Sequence, residues 1–161
     1  MTYKFILIGN LVSLFLLWSC KSDVYRDISS ELGIDVSHGS EIYNCDSHSG
    51  NGDGCCYVIL QFRNNELVDE IVKDSRWRHF PLDRTAQTLV YGVKVSNGCN
   101  GPYLVDDRGV ALIPNISNGY YILIDRHEQE GLDLLNRFSY NFTIGLYDIE
   151  SNRLYFCRFD S

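Results

Sequence analysis

Phe138-Ser139-Tyr140-Asn141-Phe142-Thr143-Ile144-Gly145-Leu146-Tyr147 alternates large apolar residues with small or polar ones as far as Leu146. A period of two is the signature of a β-strand, whose successive side chains point to opposite faces. Phe138, Tyr140, Phe142, Ile144 and Leu146 share one side. Ser139, Asn141, Thr143 and Gly145 share the other. The pattern predicts a half-buried antiparallel strand, one face in the core and one in solvent.

Working outward from it, Glu150-Ser151-Asn152 read as a turn into a last strand, Arg153 to Phe159. Before it, Val110 to Ile113 and Tyr120 to Asp125 flank Pro114-Asn115-Ile116-Ser117-Asn118-Gly119, which reads as a hairpin. Further upstream lies the strongly apolar run Cys55-Cys56-Tyr57-Val58-Ile59-Leu60-Gln61-Phe62. It follows a shorter strand candidate, Glu41 to Cys45, across the glycine-rich loop Asp46 to Gly54, so a second hairpin is expected.

Helical signals are shorter. Asp23 is a candidate cap for a helix to Leu32, with Ile28 and Leu32 on one face and Gly33 as a stop. Asn64-Asn65 mark a turn and N-cap before Glu66 to Ser75, where Leu67, Val68, Ile71 and Val72 have helical spacing. Asp83 to Tyr91 reads as a second short helix closed by Gly92, and Ser96 to Pro102 as loop. Together these predict an α+β fold: a single domain with an antiparallel sheet of about five or six strands and short helices packed on one face.

The chain has 161 residues, 45% of them apolar, with 11 Tyr and 8 Phe favouring sheet. Its formal charge is −7, and no cluster of Lys and Arg interrupts the acidic surface. Phosphate backbones and anionic lipid heads are repelled by such a surface, so no nucleic-acid partner is expected.

Phe5 to Trp18 form an apolar run behind a short n-region, Met1 to Lys4. At 14 residues it is too short to cross a bilayer core as a helix, which needs about 20. The length suits a signal peptide. The run ends Leu17-Trp18-Ser19-Cys20, which resembles the lipobox of bacterial lipoproteins, although the family usually has a small residue where Trp18 stands. The resemblance implies cleavage between Ser19 and Cys20, with diacylglycerol on the Cys20 thiol and palmitate among the acyl chains of the anchor. It divides the chain into a signal peptide 1–19, a lipidated tether 20–25 and a domain 26–161. It also implies a place in the bacterial cell envelope, membrane-anchored on the extracytoplasmic side. Two or three acyl chains suffice for stable anchoring, since each buried methylene adds about 0.8 kcal/mol.

Five other cysteines remain: Cys45, Cys55, Cys56, Cys99 and Cys157. Outside the cytoplasm thiols tend to pair, but an odd number leaves at least one unpaired within the molecule. Cys55 and Cys56, adjacent in a strand, point to opposite faces, so at most one of them reaches Cys45 across the hairpin. Connectivity is open, and all five reduced is a consistent alternative.

The densest chemistry is Cys45-Asp46-Ser47-His48-Ser49-Gly50-Asn51-Gly52-Asp53-Gly54-Cys55-Cys56. Three readings fit it. As a tight hairpin connection, its glycines permit positive φ and its aspartates accept from loop amides. As a metal site it offers Cys, His and Asp, but it lacks a CxxC pair and the alternating oxygens of a calcium loop. As a nucleophile site, Cys45 or Cys55 would be activated by His48, itself oriented by Asp46. The hairpin reading is favoured for want of any catalytic or metal signature. The segment resembles Asp-Thr-His-Gly-Gly…Gly-Asp-Gly in a family of small uncharacterised bacterial proteins, as do Trp77 and Pro81 further on. That resemblance implies kinship over roughly residues 32–81 and no mechanism.

The candidate binding residues are accordingly Asp46, His48 and Asp53, with Cys20 for lipid. No catalytic residue, metal or cofactor is assigned. The expected function is a lipid-anchored, non-enzymatic binding or interaction module, its partner a protein or small molecule not identified. The alternative is a hydrolase or metal-dependent enzyme using the Asp46–Cys56 loop. Trp77-Arg78-His79-Phe80 reads either as an exposed recognition patch or, preferably, as a segment whose Trp77 packs against the sheet.

Overall fold

The computed structural model describes residues 23–96, 98–127 and 132–161. The signal peptide expected over residues 1–19, and Cys20, lie outside the described residues. Those described fall into two compact parts, one ending at His38 and one running Gly39–Ser161.

In the first part, α1 spans residues 23–32. Ile28 and Leu32, one turn apart, are buried as their spacing predicts. Gly33 ends the helix at φ 72°, a left-handed position that glycine adopts without penalty, and its amide donates to the Ser29 carbonyl at 2.9 Å. Ser29 Oγ then accepts from the Val36 amide at 3.1 Å, satisfying the chain as it leaves the helix. Residues 23–25, expected as tether, are helical, so the boundary expected at residue 26 falls inside α1.

The second part contains β1 (Ser40–Asp46), β2 (Gly54–Gln61), α2 (Val68–Ile71), β3 (Arg78–His79), α3 (Arg84–Val90), β4 (Val93–Val95), β5 (Gly98–Asn100), β6 (Gly119–Asp125), a 3-10 turn (Leu134–Asn136), β7 (Phe142–Asp148) and β8 (Arg153–Asp160). Six strands form one sheet in the order β1-β2-β8-β7-β6-β3, and every pairing is antiparallel. β4 and β5 make a separate small hairpin where Ser96 to Pro102 reads as plain loop. The fold is α+β.

Phe142, Ile144 and Leu146 of β7 enter a core with Tyr57 of β2, Tyr155 of β8 and Leu89 of α3. Asp83 caps α3, its carboxylate accepting from the Ala86 amide at 2.8 Å. β7 differs from its expectation in two ways. It starts at Phe142, leaving Phe138 wholly exposed. Its second face is buried as well: Thr143 and Tyr147 are inaccessible, and Phe62 packs edge-on against Tyr147 with ring centroids 6.4 Å apart. The second face is covered by side chains packed onto it, and small Thr143 and Gly145 allow that close approach.

Val110 to Ile113 is not a strand of the sheet. Only Ala111 bridges, to Val105, because the segment satisfies its backbone locally. Asp106 Oδ1 accepts from the Arg108 and Val110 amides at 3.0 and 2.8 Å, and the Leu112 amide donates to the Leu104 carbonyl at 2.9 Å. Pro114 to Gly119 therefore leads into β6 rather than turning a hairpin. The helix expected over Glu66 to Ser75 is reduced to the four residues of α2, with no side-chain cap at Leu67. Leu67 and Ile71 are still buried.

Candidate functional site

β1 and β2 pair from Ser40↔Gln61 to Asp46↔Cys56, so the Asp46–Gly54 connection stands at one end of the sheet's first hairpin. The Ser47 amide donates to the Cys55 carbonyl at 3.0 Å, and the Cys55 amide returns to Ser47 Oγ at 2.9 Å. Above that rung the loop closes on itself, the Ser49 amide donating to the Asp53 carbonyl at 3.0 Å. Gly52 takes φ 92° in the tip. Gly54 is required for a different reason: a Cβ there would stand 2.5 Å from the His48 amide nitrogen. The backbone passes too close for any side chain.

β2 pairs with β8 so that Gly54 faces Asp160, which brings the C-terminal end of β8 beneath the loop. His48 lies between two carboxylates. Its Nδ1 is 2.5 Å from Asp46 Oδ1 and its Nε2 is 3.1 Å from Asp160 Oδ2. Ionised carboxylates only accept, so the arrangement favours the imidazolium, the form in which both ring nitrogens donate. The bond to Asp46 is the main reason its pKa is raised, with burial opposing and Asp160 adding to the rise. Asp46 is correspondingly lowered, first by the His48 amide donating to it at 3.0 Å and then by the ring. Arg126 extends the chain of charges: its Nη2 donates to Asp160 Oδ1 at 2.7 Å and to the Phe159 carbonyl at 2.9 Å. The Arg126 Nε is buried without a partner among the described residues.

Two of the three binding residues expected from the sequence, Asp46 and His48, thus come together. Asp53 does not join them; its carboxylate accepts from Asn51 Nδ2 at 2.7 Å within the loop tip. No local pattern marks Asp160 or Arg126. Asp160 is 112 positions from His48, and only the register of β2 on β8 brings it there. Among the described residues, no group of three or more His, Cys, Asp or Glu is placed to hold a metal ion.

Cys45, Cys55, Cys99 and Cys157 are joined in no disulfide. Cys45, Tyr57 and Cys157 stand in one row across β1, β2 and β8, and Cys55 shares their face two residues along β2. Cys56 faces the other way. The Cys55 side chain is hydrogen-bonded to Cys157, which lowers its pKa, while burial raises Cys157 well above the ordinary thiol range.

The Trp77–Phe80 segment belongs to the scaffold. Trp77 is buried, Arg78 stacks 4.7 Å over the Tyr121 ring and pairs with Asp83 at 2.5 Å, and His79 packs edge-on to Tyr120. Beside it, a groove of about 260 Å³ is lined by Phe80, Pro81, Leu82, Gln87, Tyr91, Asn115, Ile116 and Ser117. That is below the usual range of small-molecule sites, roughly 300–1,000 Å³.

Comparison with protein families, with curated proteins and with solved structures finds no match to this chain.

Proposed function

We propose that the chain is a bacterial lipoprotein, held on the extracytoplasmic side of a membrane by lipid on Cys20, and that Gly39–Ser161 acts there as a binding or interaction module without catalysis. The anchor rests on the apolar run ending Leu17-Trp18-Ser19-Cys20. Among the described residues no helix is long and apolar enough to cross a membrane.

One observation carries the non-catalytic half: both nitrogens of His48 are engaged by carboxylates. A general base needs a free ring nitrogen facing its substrate or nucleophile, and it must be neutral to take a proton. Both His48 nitrogens face carboxylates, and those carboxylates favour the protonated ring, so His48 is poorly placed for that role.

Two measurements test the proposal. Mass spectrometry of the protein expressed in a bacterial host, with and without the signal-peptidase inhibitor globomycin, should show a mature acylated chain beginning at Cys20 only in the untreated cells. A different first residue, or no lipid, overturns the anchor. Elemental analysis and a hydrolase substrate screen on the purified protein should show no stoichiometric metal and no turnover. Zinc lost on His48→Ala, or turnover lost on Asp53→Ala, replaces the binding role with a hydrolase or metal-dependent enzyme.

A further inference from the structure

The six-stranded sheet ends on two unlike strands. At one edge β3 is two residues long, too short to template another strand. At the other edge β1 runs seven residues, six of them exposed. Edges are commonly blunted by proline, lysine or a bulge. Ser40–Asp46 contains neither proline nor lysine, and its irregularity between Glu41 and Tyr43 leaves Tyr43–Asp46 in regular register with β2. The Ser47 amide donates to the Cys55 carbonyl at 3.0 Å, so Ser47 turns its backbone toward β2. That orientation alternates along an antiparallel pair. Tyr43 and Cys45 therefore also bond β2, while Asn44 and Asp46 turn N–H and C=O away from it. Among the described residues no strand lies on that outer side.

We propose that β1 pairs with β1 of a second copy of this chain across a two-fold axis, joining the two sheets into one. Outward residues must meet outward residues, which leaves few registers. Centred on Asp46, the pair opposes two carboxylates, which is unfavourable. Centred on Asn44, it sets the irregular Ile42 against the partner's Asp46. Centred on Cys45, it places Asn44 opposite the partner's Asp46 and Tyr43 opposite the partner's Ser47, with no like charges directly opposed. Each Asn44–Asp46 pair then exchanges both of its N–H···O bonds. The side chains agree with this register. Asn44 Nδ2 spends one hydrogen on Glu41 Oε2 at 3.1 Å and keeps a second for the carboxylate of the partner's Asp46. Asn44-Cys45-Asp46 is thus self-complementary about its middle residue, and this selects a second copy over a foreign strand.

The register has a consequence that can be read chemically. Cys45 is an exposed free thiol. At the two-fold it meets the partner's Cys45 in a non-hydrogen-bonded pair, with Cα atoms about 4.5 Å apart. Disulfides span roughly 4.4–6.8 Å, so the two thiols stand within reach of a bond. The dimer names a partner for the interaction role proposed above. A monomer would overturn the dimer alone, since metal content and turnover test that role separately.

The test uses the purified full chain in reducing buffer. Sedimentation over a concentration series should show a monomer–dimer equilibrium. Added salt should tighten it, because two copies of formal charge −7 repel at long range. On concentrating the protein, hydrogen exchange should slow at the Asn44 and Asp46 amides and stay unchanged at Tyr43 and Cys45, which β2 already protects. Glutathione disulfide in place of the reductant should trap a dimer joined from Cys45 to Cys45, which dithiothreitol releases. Asn44→Pro removes an outward N–H that β2 does not use and should abolish the dimer. Asn44→Asp sets a carboxylate against the partner's Asp46 at both symmetric pairs and should raise the dissociation constant about tenfold. A dimer that Asn44→Pro leaves intact, or a link through another cysteine, overturns the proposal. So does a monomer at every concentration, which would give the edge to a strand of another protein. Should Asn44→Pro fail to fold, Asn44→Asp decides in its place.

Discussion

Every residue of β7 from Phe142 to Tyr147 is buried, whereas six of the seven residues of β1 are exposed. Each strand has an antiparallel neighbour with an unbroken or nearly unbroken ladder, so backbone bonding does not separate them. They differ in what reinforces the ladder. β7 is held by apolar burial on two faces, a term that scales with area and ignores pH. β1 and its loop are held by rungs, a loop closed on itself and a clamp of charges, which are individually small and depend on protonation. The centre of the sheet and its loop end should therefore fail under different perturbations.

The largest expected effect lies in β7. Ile144→Ala removes a fully buried side chain and leaves a cavity, costing about 2–5 kcal/mol. Ile42→Ala in β1 deletes a side chain that is 49% exposed and should change stability by about 0.5 kcal/mol or less. Urea unfolding of both variants checks this. Similar losses from the two would erase the contrast between the strands.

Next come the loop glycines. Gly54→Ala drives a Cβ against the His48 backbone, and either the loop lifts or the strand end shifts; roughly 2–3 kcal/mol is expected. Gly52→Ala meets open space and has only its positive φ to contend with, about 1–2 kcal/mol. Thermal melts should rank them in that order. Equal shifts would mean that backbone conformation alone, and not the close approach to His48, fixes the loop.

The same contrast explains which parts of the fold and the site are legible in the amino-acid sequence. Apolar periodicity is a local signal, so β2, β6, β7 and β8 are legible as strands, and Asp83 with Gly92 brackets α3. What escapes is set by position in the sheet. Thr143 and Gly145 look like a solvent face because nothing local says that residues distant in sequence, Phe62 against Tyr147 among them, cover that side of the sheet. Val110 to Ile113 looks like a strand because the bonds that Asp106 makes to the Arg108 and Val110 amides are invisible in an apolar pattern. At the loop, Asp46 and His48 stand out because they are neighbours in sequence. Asp160 and Arg126 do not, because one strand register across 112 positions creates their role. Asp53 stands out wrongly: an aspartate among glycines reads the same whether it serves the tip or the clamp.

The smallest expected effect at the loop end is also the one most specific to it. His48 has a raised pKa in the folded protein, so its contribution is present in full below its unfolded value of about 6.5 and is lost as pH rises through the higher folded value. Asp46 is lowered, so its contribution is present above about pH 4 and is lost as pH falls through its depressed folded value. Both act together between those limits. Asp46 is 60% exposed, and solvent screens that half of the clamp, so the total is about 1 kcal/mol or less. Parent and His48→Ala should differ in melting temperature by a few degrees at pH 5.5 and converge at pH 9. Asp160→Asn, which keeps an acceptor but removes the charge held by Arg126 and His48, should lose part of the same difference. EDTA should alter neither melt. A gap that widens at high pH, or one that EDTA reproduces, would mean that neutral His48 is the working form and that it holds a metal, and the clamp would have to be abandoned.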